Sequence, residues 1–292
     1  MALLSTIGEY RVVTVRQLAA ISDRSCQVVR RRIRSLEDQR LIIKKPFGYG
    51  KNQGRPEEII YLSSQGVGVL SEKGLLSMPI NCRPDISNHH IDHELLANWF
   101  YIHWKYMERV IPHLTFTYVS SQTHEEGLSS LLRISIPGNE PGSNLLIIPD
   151  GILIVKDKEK GKALLFFLEV DMDSETMSGR KQNTNTIQHK ILCYRELFRQ
   201  RRYKSFEKTF DATLNGFRVL FLAATDTRVA SLCRFVRTFP NTDFIWLADQ
   251  SQMFECGLSS NIWVRGGKYE EPRESILGSN LSIEAPLMTH IR

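Results

Sequence analysis

The pattern of apolar and polar residues along the first quarter of the chain predicts several helices, then two strands, then one more helix. Residues 2–9 are apolar enough for a first helix, and Thr14-Val15-Arg16-Gln17 has capping-box spacing that predicts the start of a second, short helix. In the following helix, about Ser25 to Gln39, Val29 and Ile33 recur at helical spacing and form one apolar face. A strand, a loop rich in Gly, Pro and basic residues, a returning strand and another helix follow between residues 41 and 73.

This order of elements is typical of a winged helix-turn-helix, whose third helix enters the major groove of DNA. We therefore predict that this helix contacts DNA through Ser25, Gln27, Arg30, Arg31 and Arg34. The wing is expected to contact phosphates or the minor groove through Lys44, Lys45, Lys51 and Arg55. The alternative is a solvated basic helix that contacts a protein.

The rest of the chain predicts a long helix over about residues 89–109 and then a run of strands. The strands cover residues 114–119, 131–136, 145–155 and 163–170, and their short connections favour an antiparallel meander. Two helices, about 186–203 and 225–239, alternate with strands at 217–223 and 243–248. A strand, helix, strand sequence of this length predicts a parallel crossover, so the sheet should be mixed and flanked by helices.

Four segments follow from these patterns. Residues 1–78 form the predicted winged helix-turn-helix domain, and residues 79–88 form a linker. Residues 89–256 form the α/β domain, and residues 257–292 form a C-terminal extension with little pattern. The predicted fold class is therefore mixed, α+β with an α/β crossover.

Charge supports this division. Residues 1–78 contain 13 basic and 7 acidic side chains, while the rest of the chain contains 25 of each. A compact basic module joined to a neutral one favours a polyanionic partner, most often nucleic acid. No apolar run reaches the ~20 residues that a membrane helix needs. The five cysteines are scattered and odd in number, which favours a reducing, cytoplasmic location.

Three acids interrupt or close apolar strands in the second domain. Asp150 lies within the first apolar run, and Glu169 and Asp171 close the second. A carboxylate in an apolar run is costly unless it is paired or bound to a metal. The three carboxylates therefore predict a Mg²⁺ site, because Mg²⁺ prefers oxygen ligands. His89 and His93 lie four residues apart on a predicted helix and could share a metal ion. The favoured interpretation is that they are ordinary polar residues of the first helical turn.

The segments Pro149-Asp150 and Glu169-Val170-Asp171, 18 residues apart, resemble the PD-(D/E)XK signature of restriction-endonuclease-like folds. Asp171 stands where that pattern expects a lysine. The resemblance implies that Lys190 of the next helix supplies the lysine. Lys190 and Tyr194 also resemble the Gln-x-x-x-Tyr helix motif of RecB-like nucleases, with lysine in the glutamine position. That resemblance implies that both residues contact phosphate.

The order of these motifs resembles the replication-relaxation family of plasmid and mobile-element proteins, over roughly residues 10–250. The resemblance implies a double-stranded DNA-binding protein that acts in replication, relaxation or DNA processing. Mg²⁺-dependent cleavage would use Asp150, Glu169, Asp171, Lys190 and Tyr194.

Two other functions stay open. The first is a non-enzymatic repressor or assembly factor, whose second domain forms a homodimer or recruits a replication or mobilisation partner. The second, a tyrosine nucleophile at Tyr194 or Tyr203, is disfavoured because a tyrosine on an apolar helical face is more often buried. The chain has no P-loop motif and no Gly-x-Ser-x-Gly motif, so the sequence gives no indication of ATP hydrolysis or of that class of serine hydrolase.

Overall fold

The computed structural model of the protein describes residues 2–47, 57–75, 88–120, 129–138, 144–173, 175–178 and 186–283. The predicted mixed α+β fold is confirmed. The described residues form two compact units, one up to Ile102 and one from His103 onward. The boundary between them falls within one helix. Most of the predicted linker, residues 79–87, lies outside the described residues.

The first unit has the predicted order of elements, with one short additional strand. Its elements are α1 (Ala2–Tyr10), β1 (Val12–Thr14), α2 (Val15–Ser22), α3 (Cys26–Asp38), β2 (Ile42–Phe47), β3 (Glu57–Leu62), α4 (Ser64–Glu72) and the first part of α5 (Asn88–Val110). The three strands form an antiparallel sheet in the order β1-β3-β2. The sequence pattern missed β1, whose three residues are all buried.

Local caps explain where the helices of this unit begin. Thr14 and Gln17 form the predicted capping box at α2, with the Gln17 amide N–H donating to Thr14 Oγ1 at 3.3 Å. Gln17 also donates through its side chain to the Leu95 carbonyl at 2.8 Å, which ties α2 to α5. Ser25 caps α3 by accepting from the Val28 N–H. The apolar face of α3 is buried, so its polar face points to solvent.

The second unit is built on a six-stranded mixed sheet in the order β11-β10-β9-β8-β7-β4. The strands of this unit, two of which (β5 and β6) lie outside that sheet, are β4 (Leu114–Ser120), β5 (Ile134–Pro137), β6 (Asn144–Ile147), β7 (Gly151–Asp157), β8 (Ala163–Asp171), β9 (Phe217–Ala223), β10 (Ile245–Asp249) and β11 (Val264–Arg265). Its other helices are α6 (Ile187–Arg199), α7 (Phe206–Phe210), α8 (Asp226–Val236) and α9 (Gln250–Cys256). Strands β8, β9 and β10 are parallel, as the crossover pattern predicted.

The predicted meander is wrong in its neighbours, although its strands are antiparallel. The apolar run at 145–155 is two strands, β6 and β7, because the chain leaves the ladder at Ile148–Asp150, where Pro149 has no N–H to donate. Strand β6 pairs with β5 in a separate hairpin, and β4 pairs directly with β7. The segment 257–283 is better packed than its pattern indicated, since Trp263 and Ile276 are fully buried. None of the helices in the described part of the chain is long and apolar enough to cross a membrane.

Candidate functional site

The strand ends bring Asp150 and Glu169 together. Gly151 pairs with Leu168 at the end of the β7–β8 register, so Asp150, just before Gly151, lies beside Glu169, just after Leu168. The Asp150 N–H donates to the Leu168 carbonyl at 3.0 Å, and the Val170 N–H donates to Asp150 Oδ2 at 2.7 Å. The charge of Asp150 acts on both Glu169 and Lys190, so the two carboxyl groups share one environment.

Helix α6 presents Lys190 and Tyr194 to Glu169. The two residues are four positions apart and therefore lie on one face of the helix, which begins at its Thr186 cap. Tyr194 Oη donates to Glu169 Oε1 at 2.5 Å, and Lys190 Nζ lies 2.8 Å from Glu169 Oε2. Lys190 Nζ also lies 2.6 Å from Glu175 Oε1, so one ammonium group bridges two carboxylates.

Burial controls the ionisation of this cluster. Glu169 is 1% exposed, and burial together with the charge of Asp150 raises its pKa to about 7, against the opposing effects of Lys190 and Tyr194. Burial alone would lower the pKa of Lys190, but Glu169, Asp150 and Glu175 outweigh it and raise that pKa. Lys190 therefore stays charged, whereas Glu169 titrates near neutral pH.

Tyr194 acts as a hydrogen-bond donor in this arrangement. Burial, followed by the charge of Glu169, raises its pKa well above the ordinary value. Its side chain is fully buried, and Tyr203 is 5% exposed. A buried phenol with a raised pKa is a poor nucleophile, so the geometry gives no support to a tyrosine-based cleavage of DNA.

Asp171 lies two residues after Glu169 on the same face of β8, but it has different partners. Arg228 of α8 donates to Asp171 Oδ2 from Nε at 3.1 Å and from Nη2 at 2.9 Å. The same guanidinium lies 3.0 Å from Asp173 Oδ1 and donates to the Glu175 carbonyl at 2.6 Å. Asp171 is 1% exposed, so this arginine neutralises a buried carboxylate.

The three predicted metal ligands are therefore not brought together as one set. Asp171 is bound to Arg228, and within the described part of the chain no group of three or more His, Cys, Asp or Glu side chains could hold a metal ion. What remains is Asp150 and Glu169 beside Lys190. Glu169 Oε2 is buried and forms an ion pair with Lys190 at 2.8 Å. The side chain of His89 lies outside the described residues.

The surface of α3 is a second candidate site. Ser25, Gln27, Arg30, Arg31 and Arg34 are all exposed, while Val29 and Ile33 on the opposite face are at most 2% exposed. Among the described residues, no ion pair neutralises the three arginines of this set. Arg32, which was not among the predicted DNA contacts, is exposed beside them. Charge counting along the helix could have found it.

The predicted wing is described only in part. Lys45 is exposed. Lys44 lies 2.7 Å from Glu37 Oε2 and 4.0 Å from Glu58 Oε2, so it joins α3 to the strand pair. Lys51 and Arg55 lie outside the described residues.

Comparison with known proteins adds one decisive observation. The family model described as replication-relaxation matches residues 4–213 of the chain. The protein belongs to the replication-relaxation family. No curated protein matches it, and no solved structure matches it. Family membership indicates a role in the replication or relaxation of plasmid or mobile-element DNA.

The replication-relaxation match includes Asp150, Glu169, Lys190 and Tyr194, but it ends before Arg228. Arg228 is the residue that sequence reasoning missed, together with Glu175. The position of Arg228 in the first turn of α8 does not indicate a contact with Asp171, because no local sequence feature links α8 to the end of β8. The contact depends on the parallel crossovers that place α6 and α8 on one face of the sheet.

Proposed function

We propose that this member of the replication-relaxation family is a double-stranded DNA-binding protein whose first unit docks through α3. The observation that carries the proposal is the exposed face of α3, where Arg30, Arg31 and Arg34 project without ion pairs among the described residues. Family membership supports a DNA context for that face.

The dimensions and chemistry of α3 suit a DNA groove. Its 13 residues span about 20 Å at about 1.5 Å per residue. The major groove admits a helix, arginine can pair with guanine edges or with phosphates, and glutamine can pair with adenine. Gln27 near the start of the helix is therefore the candidate for reading a base, and the arginines supply affinity.

The test is duplex binding by the full chain with Arg30, Arg31 and Arg34 replaced by alanine. We expect weaker binding and a salt dependence that becomes shallower by about 0.9 for each phosphate that the variant no longer neutralises. Fluorescence anisotropy across salt concentrations measures both quantities. Arg234→Ala is the matched control, since Arg234 is an exposed helical arginine of the second unit. An unchanged salt slope in the triple variant would remove α3 from the interface.

We propose metal-dependent endonuclease activity as the second candidate function. It is supported by the approach of Asp150, Glu169 and Lys190 described above. Asp150 and Glu169 would hold the divalent ion, which would supply polarisation of a phosphate and activation of water. Lys190, kept charged by its two carboxylate neighbours, would hold the phosphate of the scissile strand.

Nicking of supercoiled plasmid with Mg²⁺ or Mn²⁺ tests this activity. We expect Asp150→Ala, Glu169→Ala and Lys190→Ala each to abolish nicking, while Glu159→Ala, an exposed acid of the β7–β8 turn, leaves it intact. A second measurement is independent of turnover: Mg²⁺ should raise the unfolding temperature of the unchanged protein more than that of Glu169→Gln. Tight duplex binding with neither effect would favour the non-enzymatic alternative, a repressor or assembly factor.

A further inference from the structure

An open cavity of about 400 Å³ lies in the second unit, where strands β9 and β10 begin. Phe217 is the first residue of β9, and Glu169 pairs with Phe221 further along that strand. Four residues of strand separate the two positions by about 13 Å, so the cavity lies toward the opposite ends of the strands from the carboxylates. Its lining residues that matter here are Phe198, Phe217, Phe244, Arg218, Arg265 and Asn241.

One wall of the cavity is an aromatic platform. Phe198 is 40% exposed, and its ring stacks on Phe244 with a centroid separation of 5.5 Å and an interplanar angle of 14°. Phe217 packs edge-on against both rings, at 5.5 Å from each. Tyr203 also packs against Phe198, at 5.8 Å, so three aromatic neighbours hold this ring while the residue stays 40% exposed. An aromatic ring held in this way can stack a base of any sequence.

The polar groups of the cavity suit a neutral heterocycle better than a phosphate. The Arg218 guanidinium lies 4.6 Å from the centroid of Trp246 and donates to the Ile276 carbonyl. Arg265 is close to two acids, at 3.9 Å from Asp243 Oδ1 and 3.8 Å from Glu274 Oε1. These carboxylates would repel a phosphate inside the cavity.

A basic segment of the chain includes Phe198 and continues beyond it. The segment 195–210, which continues from Phe198, contains six basic and two acidic side chains. The acids are already engaged: Glu196 by Arg199 and Glu207 by Lys204. Arg201 and Arg202 are exposed and have no ion pair among the described residues. The Arg201 N–H donates to the Phe198 carbonyl at 3.1 Å, which keeps these arginines within one turn of the platform.

We propose that this cavity binds single-stranded DNA, with one unpaired base stacked on Phe198 and the flanking phosphates held by Arg201 and Arg202. The argument is charge complementarity: a neutral aromatic cavity with a basic margin matches the alternation of base and phosphate along a single strand. The site is separate from the α3 surface, so it does not depend on the proposed duplex binding.

The test is anisotropy of the full chain with labelled oligo(dT) and with an abasic oligonucleotide of equal length. The abasic strand has the same phosphates and lacks only the bases. We expect it to bind at least about fivefold more weakly, the smallest loss typical of one base–aromatic stack. Equal affinity for both strands would overturn base stacking, and binding of free dTMP as tight as oligo(dT) would assign the cavity to mononucleotides instead.

Matched variants locate the effect. Phe198→Ala should remove most of the preference for oligo(dT) over the abasic strand, whereas Leu192→Ala, 39% exposed on the same helix, should retain it. Replacing Arg201 and Arg202 by alanine should make the salt dependence shallower by about 1.4, at about 0.7 per phosphate of a single strand. A Phe198→Ala protein that folds, by circular dichroism, yet keeps the full preference would exclude this cavity.

Duplex affinity separates this proposal from the previous one. Phe198→Ala should leave duplex binding unchanged, and the triple variant of α3 should retain the preference for oligo(dT) over the abasic strand. Loss of that preference in the α3 variant would overturn the assignment to the cavity, whatever happens to duplex binding.

Discussion

Glu169 and Asp171 lie two positions apart on one strand, yet they contact different partners. Both are 1% exposed and both lie on the face of β8 that α6 and α8 cover. Asp171 faces a guanidinium that donates two hydrogen bonds to one of its oxygens. Glu169 faces an ammonium and a phenol. Two equally buried carboxylates therefore have different hydrogen-bond and ion-pair partners.

The difference lies in the partners. The planar guanidinium of Arg228 is always charged and fixed by further bonds to Asp173 and Glu175, so Asp171 is held as part of the framework. Lys190 is a point charge shared with Glu175, and Asp150 lies opposite, so burial raises the pKa of Glu169 to about 7. A group that titrates near neutral pH is available for chemistry, whereas one locked to arginine is structural.

The largest expected effect comes from removing the arginine. Arg228→Ala leaves Asp171 buried without its cation, and breaking such a pair costs about 3–5 kcal/mol of unfolding free energy. Urea unfolding measures this loss, and Arg234→Ala, exposed on the same helix, should change it little. Adding Asp171→Asn to Arg228→Ala should restore part of the stability. No restoration would mean that Arg228 acts through its other contacts.

Replacing Lys190 should lower the free energy of unfolding by less than replacing Arg228, and the loss should depend on pH. Lys190→Met leaves Glu169 without its cation, but Glu169 can become neutral because its pKa is already raised by burial. We expect a loss of about 2–3 kcal/mol at pH 8, below the range for a broken buried pair, and a smaller loss at pH 6. Urea unfolding at the two pH values checks it. Equal losses at both would contradict a titrating Glu169.

Glu169 should also make the unchanged protein less stable as pH rises. Its folded pKa, about 7, lies above the ordinary value of 4.5, so the native state binds more protons between those values. This contribution is fully present below pH 4.5 and is lost as pH rises through 7. One pKa unit corresponds to about 1.4 kcal/mol, so a loss of up to about 3.5 kcal/mol is expected.

Glu169→Gln is the control for this titration, because glutamine stays neutral at every pH. Its unfolding free energy should fall less between pH 5 and pH 8 than that of the unchanged protein. A parallel pH dependence of the two proteins would assign the titration to another group.

The smallest effect should come from the phenol. Tyr194→Phe removes one hydrogen bond to Glu169 and leaves the ring packed against Phe167 and Phe217. We expect a loss of about 1.5 kcal/mol, the lower end of the range for a hydrogen bond to a charged group. Thermal unfolding measures it. Tyr203→Phe, which also keeps its ring in the aromatic cluster, is the comparison and should cost less.

Much of the local structure could be predicted. Capping residues such as Thr14, Ser25, Thr186 and Thr225 mark helix starts in the structure as they do in the sequence. The resemblance to restriction-endonuclease-like folds implies that Lys190 approaches the carboxylates, and the structure places it beside Glu169. The split of the 145–155 run was not foreseen, since apolar character alone does not say where a strand leaves its ladder.

The spacing of most helices and strands, their caps, and the concentration of basic charge in the first quarter of the chain could be obtained from the sequence alone. These depend on residues within a few positions of one another. Asp171 binds Arg228, and Phe198, Phe244 and Arg265 share one cavity, only once the chain has folded. Those contacts join segments dozens of residues apart, and strand pairing and helix packing across the sheet select them. The pair Glu169 and Asp171 is therefore alike in sequence and different in chemistry.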